Sequence, residues 1–530
     1  MTFHWYGTHF DRNNTWWEQS RAWMSYLARC QFLLQQGRSS ADVLFFAGET
    51  APNNGISRPE LKQLGYDYDA IGTDLILQLV VKDKFICTPT GEKYRILILP
   101  DTTWMTPVLV KKIGELARAG ATVIGPKPAK SPSLENYPDC DSEVANLADR
   151  IWGRDNGAHS FGEGCIISDE PVEQALSEKK VLPDFEPMHG ENGLDFIHRV
   201  VGDKDIYFVS NQQTQRQTVD CAFRVTGREP EIWNPETGEI SLAPVWHQEA
   251  CRTVVTLNLE QSGALFVVFR KPITVNSDPI VRVDYSFVKA TNTDNVSVPK
   301  PQLIFDGDQL VFESSQTGEV ICTMKSGIRK TAKIESVPDA IEITGPWNVT
   351  FPEGLGAPPV ATFDKLVSWP DRSEDGIKYF SGTATYCKEF TLPTTSLTPD
   401  CSLELDLGQV DVIAEVYLNG EDLGILWKSP FRVNLRKAIK AGKNELAVHV
   451  TNLWPNRLIG DARFPEDSEW NDWTLKTWPD WVWATSGLPR PSSNRITFTT
   501  WHHWGKDSPL QPSGLLGPIM IRTYIKRPLQ

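Results

Sequence analysis

Residues 3–23 bring together four tryptophans, two histidines, Asp11, Glu18, Arg12 and Arg21, interleaved with Asn13, Asn14 and Gln19. That mixture suits a sugar. Indole faces stack on the apolar faces of sugar rings while their N–H groups donate, and fixed amides and charged groups orient ring hydroxyls. His9, Asp11, Arg12, Asn13 and Trp17 are therefore candidate substrate contacts. A carboxylate held beside a sugar can activate water, and Glu18 is the candidate for that role. Each assignment has a plainer counterpart. Thr15 and Glu18 form a T-x-x-E pattern that would cap a helix start, and Asp11 with Arg12 could be a local ion pair that shapes a loop.

These residues need elements to hold them. The pattern predicts a short strand over residues 3–6, a loop through Asn14 and a helix from about residue 16 to 36. Trp23, Leu27, Cys30 and Leu34 recur at helical spacing, and Gly37 is a natural C-cap. A lone strand and helix cannot bury their own apolar faces, because a domain needs packed layers around one core. The expectation is that the rest of this domain lies upstream or on another polypeptide.

From Ala41 the pattern alternates between strands and helices. Apolar runs at residues 42–46, 94–101 and 121–125 read as strands of a parallel sheet covered on both faces. Residues 66–74 read as a turn and helix start, and residues 106–119 as a helix with Pro107 at its first position. The layer is flavodoxin-like or amidotransferase-like, and it has no G-x-G-x-x-G, P-loop or nucleophilic cysteine, so its expected role is structural. Beyond Gly153 short strands separated by Gly, Asn and Pro turns predict an antiparallel sandwich. After about residue 341 period-two alternation and the Asn419-Gly420 turn predict a jelly roll, with tryptophan-rich loops between Trp454 and Trp504.

Composition narrows the partners. A net charge of -14 over 530 residues argues against a nucleic-acid or anionic-membrane partner, and no apolar run is long enough for a transmembrane helix. Nine cysteines, an odd number without C-x-x-C spacing, indicate neither a disulfide framework nor a zinc site. Compartment is left open; a signal peptide on the full-length protein would make it periplasmic or extracellular.

The run G-T-H-F-D-R-N-N-T-W-W-E-Q-S-R-A-W at residues 7–23 resembles the end of the catalytic barrel in α-L-rhamnosidases of glycoside hydrolase family 106. Y-R-I-L-I-L-P-D (94–101), G-A-T-V-I-G-P-K-P (120–128), G-T-A-T-Y-C-K-E-F (382–390), L-D-L-G-Q-V-D-V-I-A-E-V-Y-L-N-G (405–420), L-G-I-L-W-K-S-P-F-R-V (423–433), N-L-W-P-N-R-L-I-G-D (452–461) and L-Q-P-S-G-L-L-G-P (510–518) extend the resemblance in order along the chain. It implies inverting hydrolysis of terminal α-L-rhamnosides, with Glu18 as general base at the C-terminal face of a barrel. It also implies a general acid on upstream strands that this sequence does not contain, and a calcium ion near the sugar whose ligands cannot be assigned. Within 452–461, Asn456 and Arg457 are candidate substrate contacts; the plainer reading is a loop anchored by Trp454. Trp501-His502-His503-Trp504 has the look of a metal or aromatic platform, but adjacent histidines point in different directions.

The expected architecture is multidomain α/β plus all-β: a (β/α)8 barrel remnant (1–38), a Rossmann-like α/β domain (39–155), an antiparallel β-sandwich (156–272), a connecting β module (273–340) and a galactose-binding-like jelly roll (341–530). The partner is a rhamnose-containing glycan or glycoside, with an upstream barrel-bearing polypeptide as a further expected partner. The competing reading is a non-catalytic carbohydrate-binding or assembly protein that uses the jelly roll.

Overall fold

Strand Val43–Phe46 is buried at every residue, as a strand must be when helices and loops cover both faces of its sheet. In this computed structural model, which describes residues 10–50, 57–154, 157–168, 170–188, 193–287, 301–307, 309–435, 438–483, 485–491 and 493–530, that strand sits inside a six-stranded sheet. The sheet order is Tyr68–Ile71, Val43–Phe46, Ile96–Ile98, Thr122–Ile124, Gly164–Ile167 and Ala158–Phe161. The first five run parallel and the last is antiparallel. Tyr68–Ile71 is thus a strand where the sequence suggested a turn. Its acidic residues are accommodated at the sheet edge, where Asp69 accepts a hydrogen bond from the Tyr94 hydroxyl at 2.8 Å. The sheet also runs past residue 155, since Gly164–Ile167 pairs with Thr122–Ile124.

Helix Pro107–Arg118 begins on its proline and buries Leu109, Val110, Ile113 and Leu116 against the sheet. It packs closely on helix Asp139–Ile151, because a Cβ at Gly114 would lie 2.7 Å from Ile151 Cδ1. Chain segments 29–281 and 324–326 form one compact unit. Its other layers are a six-stranded sheet that includes Leu194–Val201, Lys204–Asn211 and Ala264–Pro272, and a four-stranded sheet that includes Gln217–Phe223 and Arg252–Leu259. Phe196, Tyr207, Phe223, Leu257 and Phe269 fill the core these sheets share.

A buried charge network ties this sandwich to the parallel layer. His198 places Nδ1 2.8 Å from Asp184 and Nε2 3.0 Å from Asp205, and its ring stacks on Tyr207 at 3.8 Å. The Tyr207 hydroxyl donates to Asp184 at 2.9 Å. Arg224 lies 3.4 Å from Asp184 and 2.9 Å from Asp42, and Arg95 reaches the other Asp42 oxygen at 2.9 Å. Burial by itself would lower the His198 pKa, but the two carboxylates overcome it and raise it to about 9.

The second unit comprises residues 1–28, 282–323 and 327–530. Two six-stranded sheets face each other there. One runs Val360–Phe363, Trp347–Thr350, Thr383–Leu392, Gly442–Thr451, Ile413–Leu418 and Glu421–Leu426; the other contains Gln302–Asp306, Gln309–Ser314, Met520–Pro528, Cys401–Asp406 and Arg432–Asn434, with Ile341–Glu342 against Met520–Pro528. Alternate residues point inward, so Val416, Leu446, Val448 and Tyr386 from the first sheet share a core with Leu403, Leu405 and Ile521 from the second. The Asn419-Gly420 turn has φ of 53° and 85°, the left-handed geometry that a two-residue hairpin requires. Strand Gln309–Ser314 pairs with Met520–Pro528, which joins the segment expected as a connecting module to the C-terminal sheet. Among the described residues no helix is long and apolar enough to cross a membrane.

The His198 network makes stability depend on pH with a defined sign. A histidine whose folded pKa is raised from 6.5 to about 9 contributes fully below the unfolded value and loses that contribution as pH rises through the folded one. The expected loss between those limits is on the order of 3 kcal/mol. Urea unfolding of the 29–281 unit within the full chain, measured at about pH 6 and about pH 9.5, should show that loss in the parent and little of it in His198→Gln.

Candidate functional site

The first helix spans Ser20–Leu34 and starts later than the capping pattern suggests. The Thr15 hydroxyl does not turn to the helix amides; it donates to the Asn452 carbonyl at 2.5 Å. Ahead of the helix the chain forms successive tight turns, with the amides of Asn14, Trp17, Gln19 and Ser20 donating to the carbonyls of Asp11, Asn14, Trp16 and Trp17 at 3.1 to 3.2 Å. Glu18 consequently sits in a turn two residues before the helix, exposed to solvent, and not in the helix's first turn.

The other residues of this segment divide by environment. Asp11 accepts the Asn13 amide at 2.7 Å, an Asx turn that fixes the loop. The Asn13 carbonyl accepts the indole N–H of Trp454 at 2.7 Å. Arg12 is exposed, and among the described residues it forms no ion pair with Asp11 or any other carboxylate. Trp17 is half-buried. Phe10, Trp16 and Trp23 make an aromatic cluster, with Phe10 stacked on Trp23 at 5.4 Å and Trp16 edge-on to Trp23 at 6.1 Å. Phe10 keeps 56% of its surface exposed, so one apolar ring face of the cluster is open beside the loop. His9 and the strand expected over residues 3–6 lie outside the described residues.

The start of the helix is moored to the facing-sheet unit. Arg21 lies 2.5 Å from Glu415 and 3.0 Å from Asp422, and Tyr26 packs against Trp427 with ring centres 5.4 Å apart. The Arg21 pair is exposed and worth little by itself. The buried hydrogen bonds of Asn452 and the Trp454 contact define the geometry more strongly.

Asn456 and Arg457 belong to the short helix Pro455–Asp461, 1% and 5% exposed. The Asn456 amide donates to the Gln511 carbonyl at 2.8 Å and the Ser513 hydroxyl at 3.0 Å, and its oxygen accepts the Gln511 amide at 2.8 Å. Arg457 pairs with Asp461 at 3.0 Å, and Asp461 also accepts the amides of Ile496 and Thr497. The structure therefore does not bring these two side chains to the exposed Glu18 loop. Asn456 holds the 511–513 loop, and Arg457 pairs with Asp461, the residue that holds the 496–497 loop.

Farther along, His502 stacks on Trp470 at 3.5 Å while His503 meets Trp504 edge-on at 5.3 Å. The adjacent imidazoles thus have different partners. A small cleft of about 30 Å³ lies beside Asp461, Trp470, Thr497 and Trp501, room for a few waters. Trp473, Trp478 and Trp483 are 66%, 43% and 52% exposed. Among the described residues no group of three or more His, Cys, Asp or Glu side chains converges, so they offer calcium no set of acidic ligands.

Thr15, Asn452 and Trp454 are the structural participants that residue chemistry alone did not bring together. The donors and acceptors are ordinary, and the partners are separated by more than four hundred residues, |i−j| of 437 and 441. Only the indole of Trp454 gave a hint, as a loop anchor.

Residues 1–247 match the family model described as alpha-L-rhamnosidase, glycoside hydrolase family 106. Over those residues the chain resembles that family. A rhamnosidase from Novosphingobium sp. PP1Y is 29% identical and superposes with a TM-score of 0.72 over 98% of this chain and 42% of its own. A protein from Formosa agariphila, whose name gives beta-glucuronidase as an unproven activity, is 31% identical over 100% of this chain and 59% of its own length. The chain thus spans less than two thirds of either relative. The family 106 model and the names of both relatives are those of glycoside hydrolases, which is the coarse class this chain resembles.

If Arg457 is chiefly the counter-ion of buried Asp461, Arg457→Met should lower unfolding free energy by about 3–5 kcal/mol, because it strands a buried carboxylate. A side chain needed only for substrate contact would leave the urea midpoint unchanged.

Proposed function

We propose that this chain is part of a glycoside hydrolase that removes terminal α-L-rhamnose with inversion, and that Glu18 is its general base. The observation that carries the reading is the exposed Glu18 carboxylate in a turned segment, 10–19, that long-range hydrogen bonds hold at Asn13 and Thr15 and whose aromatic cluster keeps Phe10 56% exposed. The family likeness over the residues that include this segment supports it. In this reading residues 1–38 are the last strand and helix of a (β/α)8 barrel, whose C-terminal face carries the chemistry, and the facing sheets are a jelly roll of sugar-binding type.

Glu18 takes a proton from a water molecule, and that water's oxygen attacks the anomeric carbon from the face opposite the leaving group. The anomeric C–O bond breaks as the leaving oxygen receives a proton from a carboxylic acid about 6.5–9.5 Å from the base. No residue of this chain is assigned as that acid. Asp11 shapes the loop through its Asx turn, while Arg12, Asn13, Trp17 and His9 are the proposed sugar contacts. Asn456 acts behind them by holding the 511–513 loop, and Arg457 by pairing with Asp461. No step here is routed through the calcium ion that the family likeness implies.

A second reading rests on the exposed rings of Trp473, Trp478 and Trp483, which suit stacking against a glycan. It predicts glycan affinity without turnover.

An aryl α-L-rhamnoside assay separates the two. Together with the upstream barrel-bearing polypeptide expected to supply the acid, the parent chain should turn over with inversion, followed by NMR of the anomeric proton, and Glu18→Gln should lose about 10²–10⁴-fold in kcat with the melting temperature unchanged, since the residue is exposed. Absence of turnover even with that polypeptide present, together with binding of rhamnosyl glycans by residues 341–530, would support the binding reading instead. An aryl β-glucuronide assayed in parallel tests whether exposed Arg12 serves an acidic sugar.

A further inference from the structure

Asn452 is 2% exposed and uses every polar group it has. Its side-chain nitrogen donates to the Phe380 carbonyl at 2.9 Å and the Ser513 hydroxyl at 3.0 Å, and its side-chain oxygen accepts the Gly382 amide at 2.9 Å. Its backbone amide reaches the Gly382 carbonyl. Its backbone carbonyl is left pointing at the Thr15 hydroxyl. Two residues on, the Trp454 indole grips the Asn13 carbonyl at 2.7 Å. The 452–454 loop is thus fixed to the facing sheets on one side and to the 13–15 turn on the other.

We infer that the loop 452–454 is a positioning element for the Glu18 turn, and that the facing-sheet unit acts in the reaction through Asn452 and Trp454 instead of serving as an appended sugar-binding module. The inference rests on the reading of Glu18 as the base. The physical reason is that the 10–19 segment has no regular secondary structure. Its tight turns fix local φ and ψ but not its place in the molecule, and the two long-range hydrogen bonds supply that. Thr15 and Trp454 tether the chain at Asn13 and Thr15, just ahead of Glu18, through the Trp454–Asn13 and Thr15–Asn452 bonds without being proposed to touch substrate, so they are positioning residues. A misplacement of about 1 Å in a reacting group can cost about 10²-fold in rate.

Three variants of the full chain test this. Thr15→Val removes the hydroxyl and keeps the shape, Thr15→Ser restores it, and Trp454→Phe removes the indole N–H while keeping an aromatic ring. Hydrogen exchange at the amides of residues 13–20 should accelerate at least about 10-fold in Thr15→Val and Trp454→Phe and stay near parent rates in Thr15→Ser, with the amides of Thr383–Leu392 unchanged. On an aryl α-L-rhamnoside, with the upstream barrel-bearing polypeptide present, the first two should lose about 10–100-fold in kcat with KM within about two-fold, and Thr15→Ser should recover most of it. Unchanged exchange in both Thr15→Val and Trp454→Phe overturns the positioning role. Faster exchange with unchanged kcat overturns its link to the reaction. No turnover by the parent even with the upstream barrel-bearing polypeptide present defeats the catalytic reading itself, while the exchange arm still decides whether the loop holds the turn.

Discussion

The buried amide of Asn452 is the constraint on which the arrangement around Glu18 depends. An asparagine so enclosed must satisfy both its donor and its acceptor groups, since each unmade bond would cost about 1–3 kcal/mol. It does so with Phe380, Gly382 and Ser513, three positions on two separate stretches of chain. With the side chain fully used, the backbone carbonyl faces outward in one direction. That direction is where Thr15 lies. A turn without a helix or strand of its own gains a defined place from a group buried in a different part of the sequence.

Buried charge is handled by the same logic in both units. His198, Asp184, Asp205, Arg224 and Asp42 form a paired chain, and Arg457 with Asp461 is a shorter version. Similar pairing surrounds Asp406, which lies 3.0 Å from Arg432 and 3.3 Å from Arg522. Such pairs are poor sources of net stability when compared with apolar packing, but breaking one partner is costly. They therefore specify which loops meet. Arg457 illustrates the point: its residue type invited a substrate role, and its surroundings give it a neighbour to neutralise.

Regular elements were the legible part of the fold. Continuous burial on both sheet faces is written in the apolar runs at Val43–Phe46, Ile96–Ile98 and Thr122–Ile124, and the alternation around Val416 and Val448 marks a half-buried sheet. Asn419-Gly420 carries its turn type in its residue identities. Tyr68–Ile71 was illegible for a physical reason. Two aspartates and flanking glycines carry weak strand propensity, and parallel pairing to Val43–Phe46 together with the Tyr94 hydroxyl outweighs it. The helix start was illegible because Thr15 matches a local cap pattern but finds a distant acceptor.

The sequence by itself determined the chemistry available: an acidic chain, tryptophans gathered near residues 16–23 and 454–504, a carboxylate at Glu18, and motifs that resemble family 106. Those properties are local, set by residue type and spacing. Tertiary structure alone decided that Asn456 and Arg457 face inward, that Thr15 binds Asn452 and that Trp454 holds Asn13. Hydrogen bonds between groups more than four hundred residues apart leave no periodic trace in a sequence, because their partners meet only after both sheets have closed over a common core.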